Sequence, residues 1–272
     1  MDLARLLNKS KTCNQNGKEW LILSDKESRE FLRNETIRDK WIADERNIGL
    51  SVNSDDDRFF DDIVQFQERI KRVVLNKSTI VDLLYFMNVY EFIAIDCPNI
   101  KDVYSLGNVH TVVFQTCQNI YNIASLYKTK ILIVDDSMYV TWATPPPSLE
   151  RLEIIKHDEI PLDVSCLGNI PSLTICTNGA INNMQVLKNE HIKLLLCPKV
   201  SNFSDLKNVK HVTIDSCDMF ENSNDLSNAE TVTINFCHRI TGIRGCMKAK
   251  RIEMCWCSKV STIQVSKNVQ EI

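Results

Sequence analysis

Six cysteines lie at multiples of twenty residues from one another, which raises the question of what chemistry a row of thiols supports. They are Cys97, Cys117, Cys197, Cys217, Cys237 and Cys257. Zinc needs its sulfur ligands around one point, at about 2.3 Å each. Four thiols on strands stacked at about 4.8 Å would instead extend over roughly 14 Å. The row therefore does not fit a single zinc ion, and we predict no metal site.

Two other interpretations of the row concern disulfides and buried thiols. Stacked strands bring Cα atoms close enough for disulfides, but parallel Cβ vectors leave the Cβ atoms further apart than the roughly 3.8 Å that a bridge prefers. A thiol is also small, tolerates burial and donates weakly to acceptors. We favour buried thiols. The same slot holds Ser137, His157 and Asn178 in other parts of the chain.

Known catalytic motifs give no match elsewhere in the sequence. We find no P-loop, G-x-S-x-G, H-E-x-x-H or paired C-x-x-C. Cys255 and Cys257 are predicted to face opposite sides of one strand and its turn. His191 and His211 are predicted to be neighbours on adjacent strands, either as a pH-sensitive polar patch or as a coincidental surface cluster. We therefore predict no enzyme activity and no cofactor.

The cysteines belong to a repeat of about twenty residues. It is clearest in "LGNVHTVVFQTCQNI" (106–120) and "LKNVKHVTIDSCDMF" (206–220). Alternating apolar residues, as in "TVTIN", predict one short strand in each copy. The return arm is predicted to contain a tight helical turn at "SLGN", "DLKN" and "DLSN", with its leucine pointing inward. Copies of this kind stack into a solenoid with parallel strands.

Four columns of mainly apolar residues are predicted to point inward. They begin at Val89, Phe92, Ala94 and Ile100. Each continues in steps of about twenty, with one insertion near Pro161 and one deletion near Asn189, and the fourth passes through Ile160 and Ile181. The second column comprises Phe92, Val112, Leu132, Leu152, Leu173, Ile192, Val212, Val232 and Ile252.

The repeat pattern V-x-x-V-x-I-x-x-C-x-x-I resembles the leucine-rich repeat, L-x-x-L-x-L-x-x-N/C-x-L. The resemblance covers residues 64–272 in nine registered copies, and "LGNVHT" is similar to short repeats of large DNA viruses and amoebae. It implies an α/β repeat solenoid, a horseshoe with a parallel β-sheet on its concave face. In this family the cysteine slot turns inward toward main-chain groups of the bend, and Asn178 is the family's alternative residue there.

Residues 1–60 precede the repeat, which is predicted to fill residues 61–272 with about ten copies. Ser24 and Glu27 form a capping-box pattern at the start of a predicted helical stretch, Ser24 to Arg46. We interpret this segment as a small helical N-terminal cap on the first coil. Alternatively, Leu23 to Trp41 resembles the end of an F-box, although the first helix of that family has no match. An F-box implies a substrate receptor of a ubiquitin ligase.

Residues between the inward columns are predicted to face the concave side. In the early copies they are apolar and would form an exposed patch, with Arg151 and Glu153 on its rim. The patch consists of Ile93, Ile95, Val113, Ile131, Ile133 and Ile155. We predict a non-enzymatic protein–protein interaction module that binds its partner here. The alternatives are that the N-terminal region covers the patch, or that the chain is a purely structural scaffold.

Composition limits the class of partner and the compartment. The net charge is -3 and the basic residues are dispersed, so we predict no nucleic-acid partner. An apolar run long enough for a membrane span is absent, as is the apolar core of a signal peptide. Eleven cysteines, an odd count, then favour free thiols in the cytoplasm. The last copy is incomplete, and Val260, Ile263 and Val269 are predicted to form an open edge for self-association.

Overall fold

The repeat organises the described part of the chain in the computed structural model. Described residues are 12–15, 18–34, 36, 47–52, 68, 70–137, 144–221, 223–264, 267 and 269–270. The chain divides into two compact units. Unit 1 comprises Met1–Lys130, Ser137–Val140 and Pro146–Ser148, and unit 2 comprises Ile131–Asp136, Thr141–Pro145 and Leu149–Ile272.

Unit 1 contains a β-hairpin, a helix and a parallel sheet. Its strands are β1 (Thr12–Gln15), β2 (Lys18–Ile22), β3 (Asn47–Val52), β4 (Ile70–Asn76), β5 (Glu91–Ile95) and β6 (Thr111–Gln115). Strand β1 is antiparallel to β2, and β2 to β6 pair in parallel in chain order. Helix α1 (Asp25–Arg33) begins with the predicted capping box: Ser24 N–H donates to Glu27 Oε2 at 2.9 Å, and Glu27 N–H donates to Ser24 Oγ at 3.4 Å.

The described residues among the first 60 contain strands β1 to β3 and helix α1, so the predicted helical character of this segment is not confirmed. Strands β2 and β3 continue the parallel sheet ahead of the predicted boundary, and α1 has nine residues. The segment "NIGLSV" of β3 lacks the twenty-residue signature, so the repeat did not reveal it. Capping of the first coil stays a prediction. The F-box interpretation also stays a prediction, because Trp41 and the residues just before it lie outside the described residues.

Unit 2 is a longer stack of parallel strands. The strands are β7 (Ile131–Asp135), β8 (Arg151–Lys156), β9 (Leu162–Asp163), β10 (Ser172–Thr177), β11 (Ile181–Asn182), β12 (His191–Leu195), β13 (His211–Asp215), β14 (Thr231–Asn235), β15 (Gly242–Ile243), β16 (Arg251–Cys255) and β17 (Thr262–Ile263). The main sheet has the order β7-β8-β10-β12-β13-β14-β16, all parallel. Two short parallel pairs, β9 with β11 and β15 with β17, accompany it.

The predicted inward columns form the core of each unit. In unit 1, Phe92 lies opposite Val112. In unit 2, Val212 lies opposite both Ile192 and Val232 on the neighbouring strands. All nine residues of the second column are buried. The prediction of a stacked apolar spine is confirmed, and each unit is a parallel β-solenoid.

The fourth inward column departs from the prediction near the insertion. Ile160 is exposed, whereas Leu162 is buried and pairs with Ile181 through β9 and β11. The prediction for Ile160 is therefore wrong. The insertion near Pro161 moves the inward-pointing position along the chain, and a fixed step of twenty cannot follow that shift.

The return arms contain 3₁₀ turns at the predicted phrases. Tyr104–Leu106, Ser204–Asn208 and Asn224–Leu226 each bury their leucine. Further 3₁₀ turns are Leu84–Phe86, Ile123–Ser125 and Met184–Val186. Within the first of the three leucine turns, Leu106 N–H donates to Val103 O at 2.9 Å, which keeps the arm tight.

Most coils end their strand in a bend whose residue has left-handed backbone without being glycine. We call this the bend slot, and it comprises Lys77, Asp96, Thr116, Asp136, Leu196, Ser216, Phe236 and Trp256. Six of these residues donate their N–H to the end of the next strand, as from Asp96 to Gln115 O (2.8 Å) and from Ser216 to Asn235 O (2.9 Å); the other four are Lys77, Asp136, Leu196 and Phe236. Left-handed backbone costs about 1–2 kcal/mol for an L-residue, so these bonds offset a real strain.

Candidate functional site

The cysteines of the row face main-chain carbonyls at the bends. Cys117 Sγ lies 3.3 Å from Gln115 O and 3.6 Å from Ala94 O. The other five row cysteines make the same pair of contacts, and all are buried except the half-buried Cys257. The interpretation of the row as structural thiols is confirmed.

Two of the row cysteines, Cys117 and Cys237, are weak nucleophiles because a raised pKa keeps their thiols protonated. Burial raises the pKa of Cys237 to about 12, and both the hydrogen bond to Cys97 and burial raise the pKa of Cys117. The thiolate is the reactive form. We therefore expect iodoacetamide at about pH 8 to modify exposed Cys166 and Cys255 in the native protein, and Cys117 and Cys237 only after denaturation. Peptide mass spectrometry measures this order, and early modification of Cys237 would contradict it.

The predicted apolar patch lies on the outward face of the strands, but it is mostly covered. Only 1 % of Ile93, Val113 and Ile133 is exposed, whereas Ile95, Ile131 and Ile155 are half-buried. The prediction of exposure is thus wrong for the first three. A signal was present, because "EFIAI" and "ILIVD" are continuous apolar runs, typical of strands buried on both faces. The role of the patch in binding stays a prediction.

Ion pairs accompany this covered face. Arg151, predicted on the rim, donates through Nη2 to Oε1 of Glu153, which is buried while Arg151 is half-buried. In unit 1, Arg72 Nε lies 2.6 Å from Glu91 Oε2, and both side chains are buried. The outward face of the early strands is therefore a second interior layer with its own charged groups.

The outward face of unit 2 opens to solvent from β12 onward. Its side chains there are exposed or half-buried: His191, Lys193, Leu195, His211, Thr213, Asp215, Thr231, Thr233, Asn235, Arg251, Glu253 and Cys255. The predicted neighbours His191 and His211 stack, with ring centroids 4.3 Å apart. His211 Nδ1 lies 2.8 Å from Thr231 Oγ1. Burial and the His211 ring lower the pKa of His191.

Two exposed aromatic rings project from the bends next to this face. Trp256 is 71 % exposed and Phe236 42 % exposed, and their rings stack with centroids 6.2 Å apart at an interplanar angle of 6°. Both residues occupy the bend slot, with φ of 56° and 50°. Leu196, also exposed, occupies the same slot. The repeat columns did not predict this exposed set, although each member directly precedes a row cysteine and the members lie twenty or forty residues apart.

Two groups of metal-ligating residue types occur among the described residues of unit 2. One is Glu190, His191 and His211, and the other is Asp135, Asp136 and His157. Within each group the ligand atoms lie within 4.8 Å of one another. In the first group, Glu190 Oε1 already contacts Lys210 Nζ at 3.4 Å.

The edge predicted for self-association is partly exposed. Val260 and Val269 are half-buried, and Ile263 is exposed. Self-association through these residues stays a prediction. Separately, none of the helices in the described part of the chain has the length and apolar character needed to cross a membrane.

Comparison with known proteins finds similarity among solved structures. Neither a family model nor a curated protein matches the chain. Among solved structures, the crystal structure of an internalin (inlF) from Listeria monocytogenes is similar, at 12% identity, over 80% of this chain and 72% of that chain, with a TM-score of 0.38. A TM-score of that size does not establish a shared fold. The fold of each unit, a parallel β-solenoid, therefore rests on strand register and the inward columns.

Proposed function

We propose that this protein is a non-enzymatic module of the leucine-rich-repeat type that binds another protein through the open face of unit 2. The stacked pair Phe236 and Trp256 carries the proposal. Their left-handed backbone costs about 1–2 kcal/mol at each position. Both side chains are exposed, so their own packing within the chain offsets only part of that cost. Exposed aromatic residues of this kind are typical anchors of protein interfaces, where tryptophan is enriched.

Polar groups on the adjoining strands suit the rim of such an interface. Lys193, Thr213 and Glu253 point outward from β12, β13 and β16, and Thr233 Oγ1 donates to Glu253 Oε2 at 3.2 Å. Interfaces commonly surround apolar anchors with hydrogen-bonding groups that remain accessible to water. The aromatic pair would supply affinity, and the polar strands would supply orientation.

Some residues of the predicted apolar patch have a secondary role in this proposal. Ile131, Ile155 and Arg151 in unit 2, and Ile95 in unit 1, retain partial exposure for contact with a partner. Ile93, Val113, Ile133 and Glu153 would support the strands from within. Buried free thiols support a reducing compartment, and we propose the cytoplasm.

The decisive variant replaces both aromatic anchors, as Phe236→Asn with Trp256→Asn. Asparagine tolerates left-handed backbone, so we expect the thermal midpoint to stay within a few degrees or to rise. We expect recovery of the partner to fall at least tenfold, because interface anchors contribute about 2 kcal/mol or more each. Affinity purification with quantitative mass spectrometry measures recovery.

Matched control positions exist on unit 1. Tyr104→Asn with Tyr121→Asn also removes two exposed aromatic rings. These positions lie outside the bend slot, and we expect this variant to recover the same partner as the unmodified chain. Equal recovery by the Phe236 and Trp256 variant, or absence of any partner enriched over an unrelated bait, would refute the proposal.

A further inference from the structure

Two aspartates and a histidine meet in unit 2 where the cysteine row is interrupted. The slot that holds cysteine in other coils holds His157 after β8. His157 Nε2 lies 3.9 Å from Asp135 Oδ1 and 3.8 Å from Asp136 Oδ2. Asp135 ends strand β7, and Asp136 occupies the bend slot that follows it. We propose that Asp135, Asp136 and His157 bind a divalent transition metal ion, with Zn²⁺ the best match.

The separations between the ligand atoms fit an ion better than direct hydrogen bonds. At 3.8 and 3.9 Å, the imidazole nitrogen is beyond hydrogen-bonding distance of both carboxylate oxygens. Ligands at about 2.0–2.1 Å from a tetrahedral zinc ion are roughly 3.3–3.4 Å apart. The distances from His157 Nε2 to the two carboxylate oxygens would need to shorten by about half an ångström to match this geometry. The ring of His157 is exposed and has room to make that movement.

Coil-to-coil hydrogen bonds hold the backbone of the ligands in place. Asp136 Oδ1 accepts the N–H of His157 at 2.9 Å, so its Oδ2 is the oxygen that remains toward the ring. Asp136 N–H donates to Ile155 O at 2.9 Å, and Asn178 Nδ2 donates to His157 O at 2.9 Å. Outer groups of this kind orient metal ligands and strengthen binding.

Charge also favours a cation at this position. The cluster brings together two carboxyl groups, and Asp135 is buried, where electrostatic attraction is stronger than in water. The neighbouring cation, Lys156, places its Nζ 3.4 Å from Asp158 Oδ1, a carboxylate outside the cluster. Carboxylate and imidazole together suit zinc, and three protein ligands leave a fourth position for water. The sequence pattern did not predict a metal site here, because the three ligands belong to two different copies of the repeat.

Isothermal titration calorimetry with zinc chloride tests the site. The starting protein carries Cys166→Ser and Cys255→Ser, so that exposed thiols do not compete for the ion. We expect one equivalent of zinc to bind and the affinity to fall at least tenfold in His157→Ala and in Asp136→Asn. The second substitution keeps an oxygen for the His157 N–H and suits left-handed backbone, so it separates ligand loss from misfolding.

The other histidine cluster supplies the control. His191→Ala with His211→Ala removes two imidazoles from the same unit, and we expect it to retain the zinc affinity of the starting protein. Zinc should also raise the thermal midpoint of the starting protein but not that of His157→Ala. The proposal is overturned if zinc shows no saturable binding, if His157→Ala and Asp136→Asn bind as tightly as the starting protein, or if only the control loses affinity.

Discussion

Replacing Phe92 with alanine is expected to lower the free energy of unfolding by about 3–5 kcal/mol. Phe92 is fully buried in unit 1, where its ring centroid lies 5.4 Å from that of Phe86 and 6.4 Å from that of Phe114. Alanine would leave a cavity between two rings held on separate coils. Because the hydrogen-bonded strands keep those coils apart, the cavity closes only in part.

Urea denaturation followed by circular dichroism measures the loss at Phe92. Tyr104→Ala is the control, because it also removes an aromatic ring from unit 1 but from an exposed position. We expect the control to change the free energy of unfolding by no more than about 0.5 kcal/mol. A loss below about 1 kcal/mol for Phe92→Ala would contradict the packed aromatic interior of unit 1.

Removing Arg72 alone is expected to cost about 3–5 kcal/mol of stability. Arg72 and Glu91 face each other on β4 and β5, and their contact of 2.6 Å is buried. Arg72→Met keeps much of the packing volume but leaves a buried carboxylate whose guanidinium partner is gone. Desolvation of that charge dominates the cost, since the attraction that compensated it is lost.

A second substitution separates desolvation from attraction at this pair. Adding Glu91→Leu to Arg72→Met removes the remaining charge, so we expect the double variant to regain most of the lost stability. Arg251→Met supplies the control, because Arg251 occupies the same outward column on β16 but is exposed, and it should cost less than about 1 kcal/mol. A double variant no more stable than Arg72→Met would contradict this account.

The interior of each solenoid was predictable because it repeats. Val212 and Val232 occupy the same position of the repeat, twenty residues apart. Both were predicted to point inward, and they lie opposite each other on adjacent strands. The buried thiols were predictable for the same reason. A position that recurs in every coil meets the same main-chain groups each time, so several weak local preferences add to one strong pattern.

Features that do not follow the repeat could not be predicted from the sequence pattern. The continuous apolar runs around Ile93 and Val113 indicate that these strands are buried on both faces. They do not identify the residues that cover the outward face. Strand β3 joins the sheet through hydrogen bonds that do not depend on a signature residue. Asp135, Asp136 and His157 come from different copies of the repeat, and they form a cluster because stacking of the coils brings them together.

The bend slot has a consequence for how such a protein changes over time. Where a coil-to-coil bond forms at this slot, the main chain makes it, so the bond does not depend on which side chain is present. Aspartate, serine, phenylalanine and tryptophan all occupy it in this one chain. A lineage that retains the buried spine can therefore alter its surface one coil at a time, by single substitutions. The binding specificity of such a solenoid can therefore change while its fold stays the same.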